Sequence, residues 1–198
     1  MKRVVDVVVA FAGLLFMSPL ILVLAIVVRS FIGKPVFFRQ QRPGLGGRPF
    51  WLVKFRSMDD LVDASGRPRP DAERLGRLGR WLRSSSLDEL PELWNVVRGD
   101  MSLVGPRPLL MEYLPIYSER QSRRHDVRPG LTGWAQIHGR NATTWDQRLE
   151  LDVWYVANQS LWLDLRIMWR TLWIVISREG VSQHGHASMP KFRGGHDG

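Results

Sequence analysis

The feature that most constrains this chain is an apolar run near its N-terminus, residues 4–28. A straight helix of this length is roughly 37 Å long and a bilayer core is about 30 Å thick, so the run is long enough to cross a membrane. Its middle, however, holds Ser18 and Pro19. Proline has no N–H to donate and its ring clashes with the preceding turn, while a serine hydroxyl can satisfy a freed backbone group. The pair therefore predicts a break or sharp kink at mid-depth.

Positive charge flanks the run on both sides. Lys2 and Arg3 precede it, and five basic residues follow it, namely Arg29, Lys34, Arg39, Arg42 and Arg48. Because Lys/Arg-rich flanks stay in the cytoplasm, both ends favour the same side of the membrane. A re-entrant hairpin of two half-helices is the favoured interpretation, ahead of a spanning anchor and of a cleaved signal peptide. Asp6 is costly in lipid, so we expect it near the interface or paired with a basic residue.

The remainder of the chain is long enough for one domain with its own core, since about 160 residues follow the run. The chain contains no cysteine, which excludes disulfides, thiolate nucleophiles and sulfur-ligated metals. Its formal net charge of +9 suits an anionic partner such as a membrane surface, a nucleic acid or a phosphorylated substrate. Nine tryptophans favour the membrane, because their amphipathic rings prefer the headgroup layer.

Local patterns predict one hairpin and several amphipathic helices. Glycine and proline separate two strand-like runs at 35–39 and 50–56, which indicates a β-hairpin, and the polar stretch 59–73 is typical of a loop. Strand character returns at 134–137. Apolar residues at helical spacing predict an amphipathic helix at 74–83 and a second helix that Gly99 ends. A last helix carries a stripe that packs either in the core or at a membrane interface: Trp162, Leu165, Trp169, Leu172, Trp173 and Ile176.

These patterns together predict an α+β chain that is predominantly helical. It has an N-terminal re-entrant membrane helix broken at Ser18-Pro19, amphipathic interfacial helices and a small β-hairpin. Residues 1–30 form the re-entrant membrane anchor, residues 31–181 form a cytoplasmic-facing domain, and the Gly- and His-rich residues 182–198 form a disordered tail.

The candidate chemistry lies at Asp88 and Glu89. Either Asp88 caps the second helix or Ser86 and Glu89 form a capping box, and a helix N-terminus stabilises ionised carboxylates there. Asp88 is therefore a candidate nucleophile or Mg²⁺ ligand. Downstream, Pro106 and Pro108 restrict the backbone around Arg107, which suits bidentate recognition of phosphate. Carboxylates, arginines and the lack of cysteine favour Mg²⁺ that bridges phosphates.

Four stretches carry a resemblance to a known family: KFRSM at 54–58, SLDELP at 86–91, NVVRGDMSLVGPRP at 95–108 and RPGLTGWAQ at 128–136. In this combination the chain resembles the bacterial sugar transferases, monotopic phosphoglycosyl transferases that act on polyprenol phosphate. It resembles their small, minimal catalytic form, which lacks a preceding block of membrane helices.

The resemblance implies an enzyme that transfers a phosphosugar from a UDP-sugar to undecaprenyl phosphate, releasing UMP, as a first membrane step of glycan synthesis. It implies that residues 31–181 are the catalytic domain, on the cytoplasmic face of the bacterial inner membrane. It also implies that Asp88 is the nucleophile, through a covalent aspartyl intermediate, and that Glu89 helps to hold Mg²⁺. The side chains expected to contact substrate phosphates are Lys54, Arg56, Arg83 and Arg107, with Pro106 and Pro108 beside them.

Two other classes of protein share the charge pattern, a membrane-tethered nucleic-acid binder and an anionic-lipid scaffold without catalysis. Neither explains the Asp88-Glu89 pair, so we expect the membrane lipid and the two substrates as partners and no nucleic acid. The identity of the sugar, the glycan pathway and the oligomeric state, a homodimer included, stay open at the level of sequence.

Overall fold

The computed structural model describes residues 1–138, 144–177, 191, 192 and 194. Within them the chain is α+β and predominantly helical, which confirms the predicted class. The helices are α1 (Lys2–Phe31), α2 (Asp71–Arg74), α3 (Arg77–Ser84), α4 (Glu92–Arg98), α5 (Glu119–Ser122), α6 (Trp134–His138), α7 (Trp145–Asn158) and α8 (Leu161–Ser177). The strands are β1 (Phe37–Pro43), β2 (Pro49–Phe55), β3 (Ser102–Val104) and β4 (Gly130–Thr132).

Helix α1 is long and apolar enough to cross a membrane, and it continues through Pro19. Proline at this position cannot donate to the carbonyl of Leu15, four residues earlier. The Ser18 hydroxyl donates to that same carbonyl at 2.8 Å and replaces the missing bond. The predicted break of the helix at Ser18-Pro19 therefore does not form, because this bond lets α1 continue through both residues.

The first turns of α1 are fixed to the domain by polar contacts. Lys2 Nζ lies 2.6 Å from Asp164 Oδ2 on α8, and Arg3 donates to the carbonyl of Val96 at 2.6 Å. The carboxylate of Asp6 accepts from the Ser102 hydroxyl at 2.8 Å and lies 3.9 Å from Lys2 Nζ. The prediction that Asp6 pairs with a basic residue is thus confirmed.

The second half of α1 is held by apolar packing. Leu24 and Val28 are buried in one cluster with Phe55 of β2 and Leu82 of α3. Both ends of α1 therefore contact the same domain. The face that points away from it leaves large apolar side chains exposed, among them Phe11, Leu15, Phe16, Leu22 and Ile26.

The predicted hairpin forms from β1 and β2, which pair antiparallel from Phe37↔Phe55 to Pro43↔Pro49. The buried side chain of Asn95 ties this hairpin to α4. Its amide donates to the carbonyl of Trp51 at 2.7 Å, and its carbonyl oxygen accepts from the N–H of Val53 at 3.0 Å. The hairpin is thereby placed against the segment that carries the candidate carboxylates.

A short parallel pair, β3 and β4, joins the segments 95–108 and 128–136. Ser102 lies opposite Gly130, and Val104 lies opposite Thr132. The backbones approach so closely that a Cβ on Gly130 would lie 2.0 Å from the Gly105 nitrogen. A Cβ on Gly133 would lie 2.2 Å from the Gly105 carbonyl oxygen. Only glycine fits at these positions, which explains the glycines of both segments.

Several local predictions differ from the structure. The strand predicted at 134–137 is wrong, because these residues form α6, whose Trp134 stacks on Trp154 of α7 with ring centroids 4.6 Å apart. A short apolar run fits either a helix or a strand, and here packing on α7 decides. The helix predicted at 74–83 is α3, which begins at Arg77. The sequence reading missed α7, and the end of the predicted loop 59–73 forms part of α2.

The tryptophan stripe of α8 lies on the surface and not in the core. Trp162 and Trp169 are 77% and 73% exposed, and Trp173 is 53% exposed. The interfacial alternative is thus the one compatible with the fold. Most of the tail, 182–198, lies outside the described residues; of those described, Phe192 is buried beside Tyr113 and Tyr117.

Candidate active site

Asp88 lies in a 3-10 turn, Leu87–Glu89, between α3 and α4. Helix α4 begins only at Glu92, after Pro91, and neither of the predicted capping arrangements forms. Ser86, just before the turn, has φ 57° and ψ 17°, and within the described ranges no other non-glycine residue has positive φ. This left-handed residue turns the chain so that the Asp88 side chain is buried.

Burial raises the pKa of Asp88 to about 6, and the charge of Glu89 acts in the same direction. Lys54, Arg83 and Arg107 oppose this rise. The prediction that a helix terminus favours the ionised form of Asp88 is therefore wrong in direction, because no helix starts there and desolvation dominates. At neutral pH the carboxylate is still mostly ionised, and it is only weakly hydrated.

Arg107 and Glu89 form an ion pair through both carboxylate oxygens. Arg107 Nη2 contacts Glu89 Oε1, and Nη1 lies 3.5 Å from Oε2. This charge raises the pKa of Arg107 above its ordinary value. The Arg107 side chain is 41% exposed, so part of its guanidinium faces solvent. Arg107 therefore lies beside the carboxylate pair, and its predicted role in binding a phosphate stays a prediction.

Hydrogen bonds from other segments of the chain fix the backbone on either side of Arg107. The carbonyl of Pro106 accepts from the N–H of Gly130 at 3.0 Å, and Pro108 follows Arg107 in the chain. The carbonyl of Arg107 accepts from Arg124 Nη2 at 2.7 Å. Arg124 is itself buried and lies 2.7 Å from Asp152 of α7. The sequence reading missed this buried pair, because its members lie on elements that meet only in the folded chain.

Two more predicted cations face Asp88. The pKa of Lys54, on β2, is lowered because its side chain is buried, and the charge of Asp88 partly opposes this shift. Arg83 lies in the last turn of α3 and donates from Nε to the Ser57 hydroxyl at 3.0 Å. Arg56, by contrast, is occupied elsewhere: its guanidinium donates to the carbonyls of Lys34 and Met58 and lies 2.8 Å from Asp60 Oδ2. These contacts give Arg56 a structural role at the exit of the hairpin.

A third carboxyl group, that of Glu92, completes the cluster and escaped the sequence reading. Glu92 is buried in the first turn of α4. Burial raises its pKa to about 8, and Glu89 acts in the same direction. Its spacing in DELPE, one helical turn after Asp88 and Glu89, is the signal that could have identified it.

The donor set fits Mg²⁺ only in company with a phosphate ligand. Among the residues with described positions, no three His, Cys, Asp or Glu side chains are placed so that they could hold a metal ion by themselves. Magnesium commonly uses one or two carboxylates together with substrate phosphates, so Asp88 and Glu89 suffice for such a shared site. Burial raises the pKa values of Asp88 and Glu92, and the charge of Glu89 adds to both rises; a bound cation would oppose them.

The arrangement as a whole is a buried carboxylate surrounded by cations. Lys54, Arg83 and Arg107 are close enough to act on the charge of Asp88. Cations so placed can bind the oxygens of a phosphate or diphosphate, and a weakly hydrated carboxylate can attack phosphorus. The site therefore suits phosphoryl transfer.

Comparison with known proteins agrees with this reading. The family model described as "Bacterial sugar transferase" matches residues 1–178. A Bacillus subtilis (strain 168) protein named "Uncharacterized sugar transferase EpsL" is 53% identical over 197 residues, which cover 100% of this chain and 98% of that protein.

Two further relatives are named UDP-glucose:undecaprenyl-phosphate glucose-1-phosphate transferase. The protein from Caulobacter vibrioides is 44% identical over 86% of this chain and 68% of its own length. The one from Xanthomonas campestris pv. campestris is 43% identical over 84% of this chain, but the match spans only 37% of that longer protein.

Proposed function

Since the chain belongs to the bacterial sugar transferase family, we propose that it transfers a phosphosugar from a UDP-sugar to undecaprenyl phosphate. The products are UMP and an undecaprenyl-diphosphate sugar. The names of the Caulobacter vibrioides and Xanthomonas campestris relatives support this class of donor and acceptor.

The observation that carries the proposal is the buried position of Asp88 among Lys54, Arg83 and Arg107. Phosphoryl transfer depends mainly on positioning and on neutralising the charge of the phosphate oxygens. A buried carboxylate with cations around it meets both needs, whereas a nucleic-acid binder or a lipid scaffold would have no use for it.

The proposed reaction has two displacement steps. A carboxylate oxygen of Asp88 forms a bond to the β-phosphorus of the UDP-sugar, and the bond from that phosphorus to the bridging oxygen breaks. UMP leaves with the bridging oxygen and its electron pair, and the sugar phosphate remains on Asp88. An oxygen of undecaprenyl phosphate then bonds to the same phosphorus, and the bond to Asp88 breaks.

The residues around Asp88 have distinct parts in these steps. Lys54 and Arg83 neutralise the phosphate under attack, while Arg107 holds Glu89 and presents its exposed edge to the diphosphate. Asp88 and Glu89 would hold Mg²⁺ together with the donor. When bound, the ion supplies positive charge to the diphosphate oxygens.

The membrane arrangement that we propose rests on the contacts that α1 makes with the rest of the domain. Both ends of this helix contact one domain, through Lys2 and Asp6 at the start and through Leu24 and Val28 at the end. These contacts of both ends with one domain support an arrangement in which the two ends lie on the same side of the bilayer. We assign α1 as a re-entrant anchor of the inner membrane, with the catalytic domain on the cytoplasmic face, where both basic flanks belong.

The test is trapping of the covalent species. Purified protein is incubated with Mg²⁺ and each of a panel of UDP-sugars, without lipid acceptor. The peptide that contains Asp88 should gain the mass of one phosphosugar, and undecaprenyl phosphate should then remove it and yield lipid-linked product. Asp88→Asn, which keeps the size of the side chain, should fold normally, form no adduct and lose turnover.

Two results would redirect the proposal. If Asp88→Asn turns over at a substantial rate and no adduct can be trapped, direct attack by the lipid phosphate is the better mechanism. If no UDP-sugar in the panel yields UMP, the donor class itself is wrong.

A further inference from the structure

An open cleft lies just beyond the end of α1, in the segment that leads into β1. It has a volume of about 490 Å³ and is lined by Pro35, Val36, Phe37, Phe38 and Arg39. Four of these five side chains are apolar, and both phenylalanines are exposed. A concave, mostly apolar surface of this size is typical of a ligand site, and none of the steps proposed above gives it an occupant.

One wall of the cleft is continuous with the membrane anchor. Val36 packs in the same apolar cluster as Leu24 and Val28, which lie in the second half of α1. Helix α1 ends at Phe31, whose side chain is exposed. Pro35 follows four residues later, so the chain separates the two by at most about 14 Å. The cleft therefore lies close to the point where the anchor leaves the bilayer.

The other wall of the cleft is a neighbour of the candidate active site. Phe38 pairs with Lys54 across the hairpin, and Lys54 Nζ lies over the Phe38 ring, 5.6 Å from its centroid. Strand β2, which carries Lys54, packs against the turn Leu87–Glu89 that holds Asp88. The ring of Phe38 thus lies between the end of the anchor and a cation that faces the candidate nucleophile.

We propose that this cleft binds the isoprene units of the lipid acceptor that lie next to its phosphate. The proposal rests on the function proposed above, and it adds a binding site for the acceptor. The phosphate would reach Lys54 after UMP has left, and the remaining polyprenyl chain would continue past Val36 along α1 into the bilayer. Binding in the cleft removes apolar surface of both the lipid and the two phenylalanines from water.

The chemistry of the lining favours this occupant over the sugar of the donor. A sugar presents hydroxyl groups that need hydrogen-bond partners, and among the five lining side chains only that of Arg39 can form hydrogen bonds. An isoprene unit needs none. A lipid held by its apolar units on one side and by its phosphate on the other is also oriented for attack at Asp88.

The first experiment compares two variants, Phe38→Leu and Phe38→Gln. Both lose the ring over Lys54, but leucine keeps an apolar wall and glutamine does not. Each protein is loaded with phosphosugar from a UDP-sugar, and removal of the adduct is followed against the concentration of undecaprenyl phosphate. Phe38→Gln should need roughly tenfold more acceptor than Phe38→Leu for a half-maximal rate, while both form the adduct equally fast. Trp51→Gln, at an exposed aromatic residue of β2 outside the cleft, should match the wild type.

Shorter acceptors locate the effect within the lipid. Farnesyl phosphate carries only the isoprene units nearest the phosphate, and ethyl phosphate carries none. The difference between Phe38→Leu and Phe38→Gln should persist with farnesyl phosphate and vanish with ethyl phosphate. A second experiment needs neither a variant nor turnover: a photoreactive benzophenone analogue of farnesyl phosphate should label residues 35–39 of the wild type in detergent. Unlabelled farnesyl phosphate should compete with this labelling.

The outcomes separate this proposal from the reaction class. If the analogue labels residues 35–39 but no UDP-sugar forms an adduct, the lipid cleft stands and the donor class is wrong. If the label is absent from residues 35–39, the cleft is overturned even when UMP release continues. Equal dependence on acceptor in Phe38→Leu and Phe38→Gln overturns it too, as does a difference confined to adduct formation, which would assign this position to the donor. If both variants melt well below the wild type, the labelling decides.

Discussion

At neutral pH the carboxyl group of Glu92 keeps its proton, because burial and the nearby charge of Glu89 raise its pKa to about 8. In the unfolded chain the ordinary value of 4.5 applies. Between these values the folded protein binds a proton that the unfolded chain has released. The contribution of Glu92 to the free energy of unfolding therefore falls as pH rises from about 4.5 to about 8.

Glu92→Gln should abolish this part of the pH dependence, because glutamine mimics the protonated acid and does not titrate. The expected result is a melting temperature above that of the wild type at pH 8 and close to it at pH 4.5. Thermal denaturation in EDTA across this range measures the difference, with the exposed Glu119→Gln as control. A constant difference between Glu92→Gln and wild type at every pH would show that Glu92 is already ionised in the folded state.

At the scale of elements, the pairing of β3 with β4 holds Pro106, Arg107 and Pro108 in place. The N–H of Gly105 donates to the carbonyl of Thr132 at 2.9 Å, and that of Gly130 donates to the carbonyl of Pro106 at 3.0 Å. These bonds require the two backbones to touch at glycines. The strand pair therefore fixes the position of Arg107 in the candidate site as well as supporting the fold.

Gly130→Ala should disrupt this pair, since the new Cβ would lie 2.0 Å from the Gly105 nitrogen and the clash is with backbone that cannot rotate away. We expect loss of UMP release together with a melting temperature lowered by several degrees. Gly76→Ala is the control, because its Cβ would lie 3.8 Å from the nearest neighbouring atom and should cost under about 1 kcal/mol. Wild-type activity in Gly130→Ala would show that the two segments can move apart without harm to the site.

At the scale of the whole molecule, α1 and the catalytic domain form one body with a broad apolar surface. The outward face of α1 exposes Phe11 and Phe16, and the outward face of α8 exposes Trp162 and Trp169. Apolar residues on α1 suit the hydrocarbon layer, while tryptophans on α8 suit the headgroup layer. The domain is thus suited to lie against the bilayer, where an acceptor lipid phosphate would meet a soluble donor.

The re-entrant arrangement predicts that the N-terminus and the loop near Arg67 face the same compartment. The chain has no cysteine, so single reporters give no background. A cysteine inserted after Met1 and the variant Arg67→Cys should both react with a membrane-impermeant maleimide in inside-out vesicles, and neither should react in intact spheroplasts. Labelling of the N-terminal reporter from the periplasmic side alone would show that α1 spans the membrane.

Much of the fold follows from local sequence. The apolar run, the hairpin and the αL C-cap at Gly99 each depend on neighbouring residues, through hydropathy, turn chemistry and the conformational freedom of glycine. The misassigned strand at 134–137 and the missed α7 mark the limit, because packing between α6 and α7 selects among conformations that the local pattern permits.

The candidate site divides in the same way. The sequence by itself identified several of the side chains near Asp88, namely Glu89, Lys54, Arg83 and Arg107. It missed Glu92 and assigned Arg56 to the site, although Arg56 contacts Lys34, Met58 and Asp60. Only the tertiary structure decided their protonation and their partners. The raised pKa values of Asp88 and Glu92 and the support of Arg107 by Arg124 depend on burial and on groups from distant segments. Desolvation and Coulomb interactions depend on distances between groups in the folded protein, and the order of residues along the chain does not give those distances.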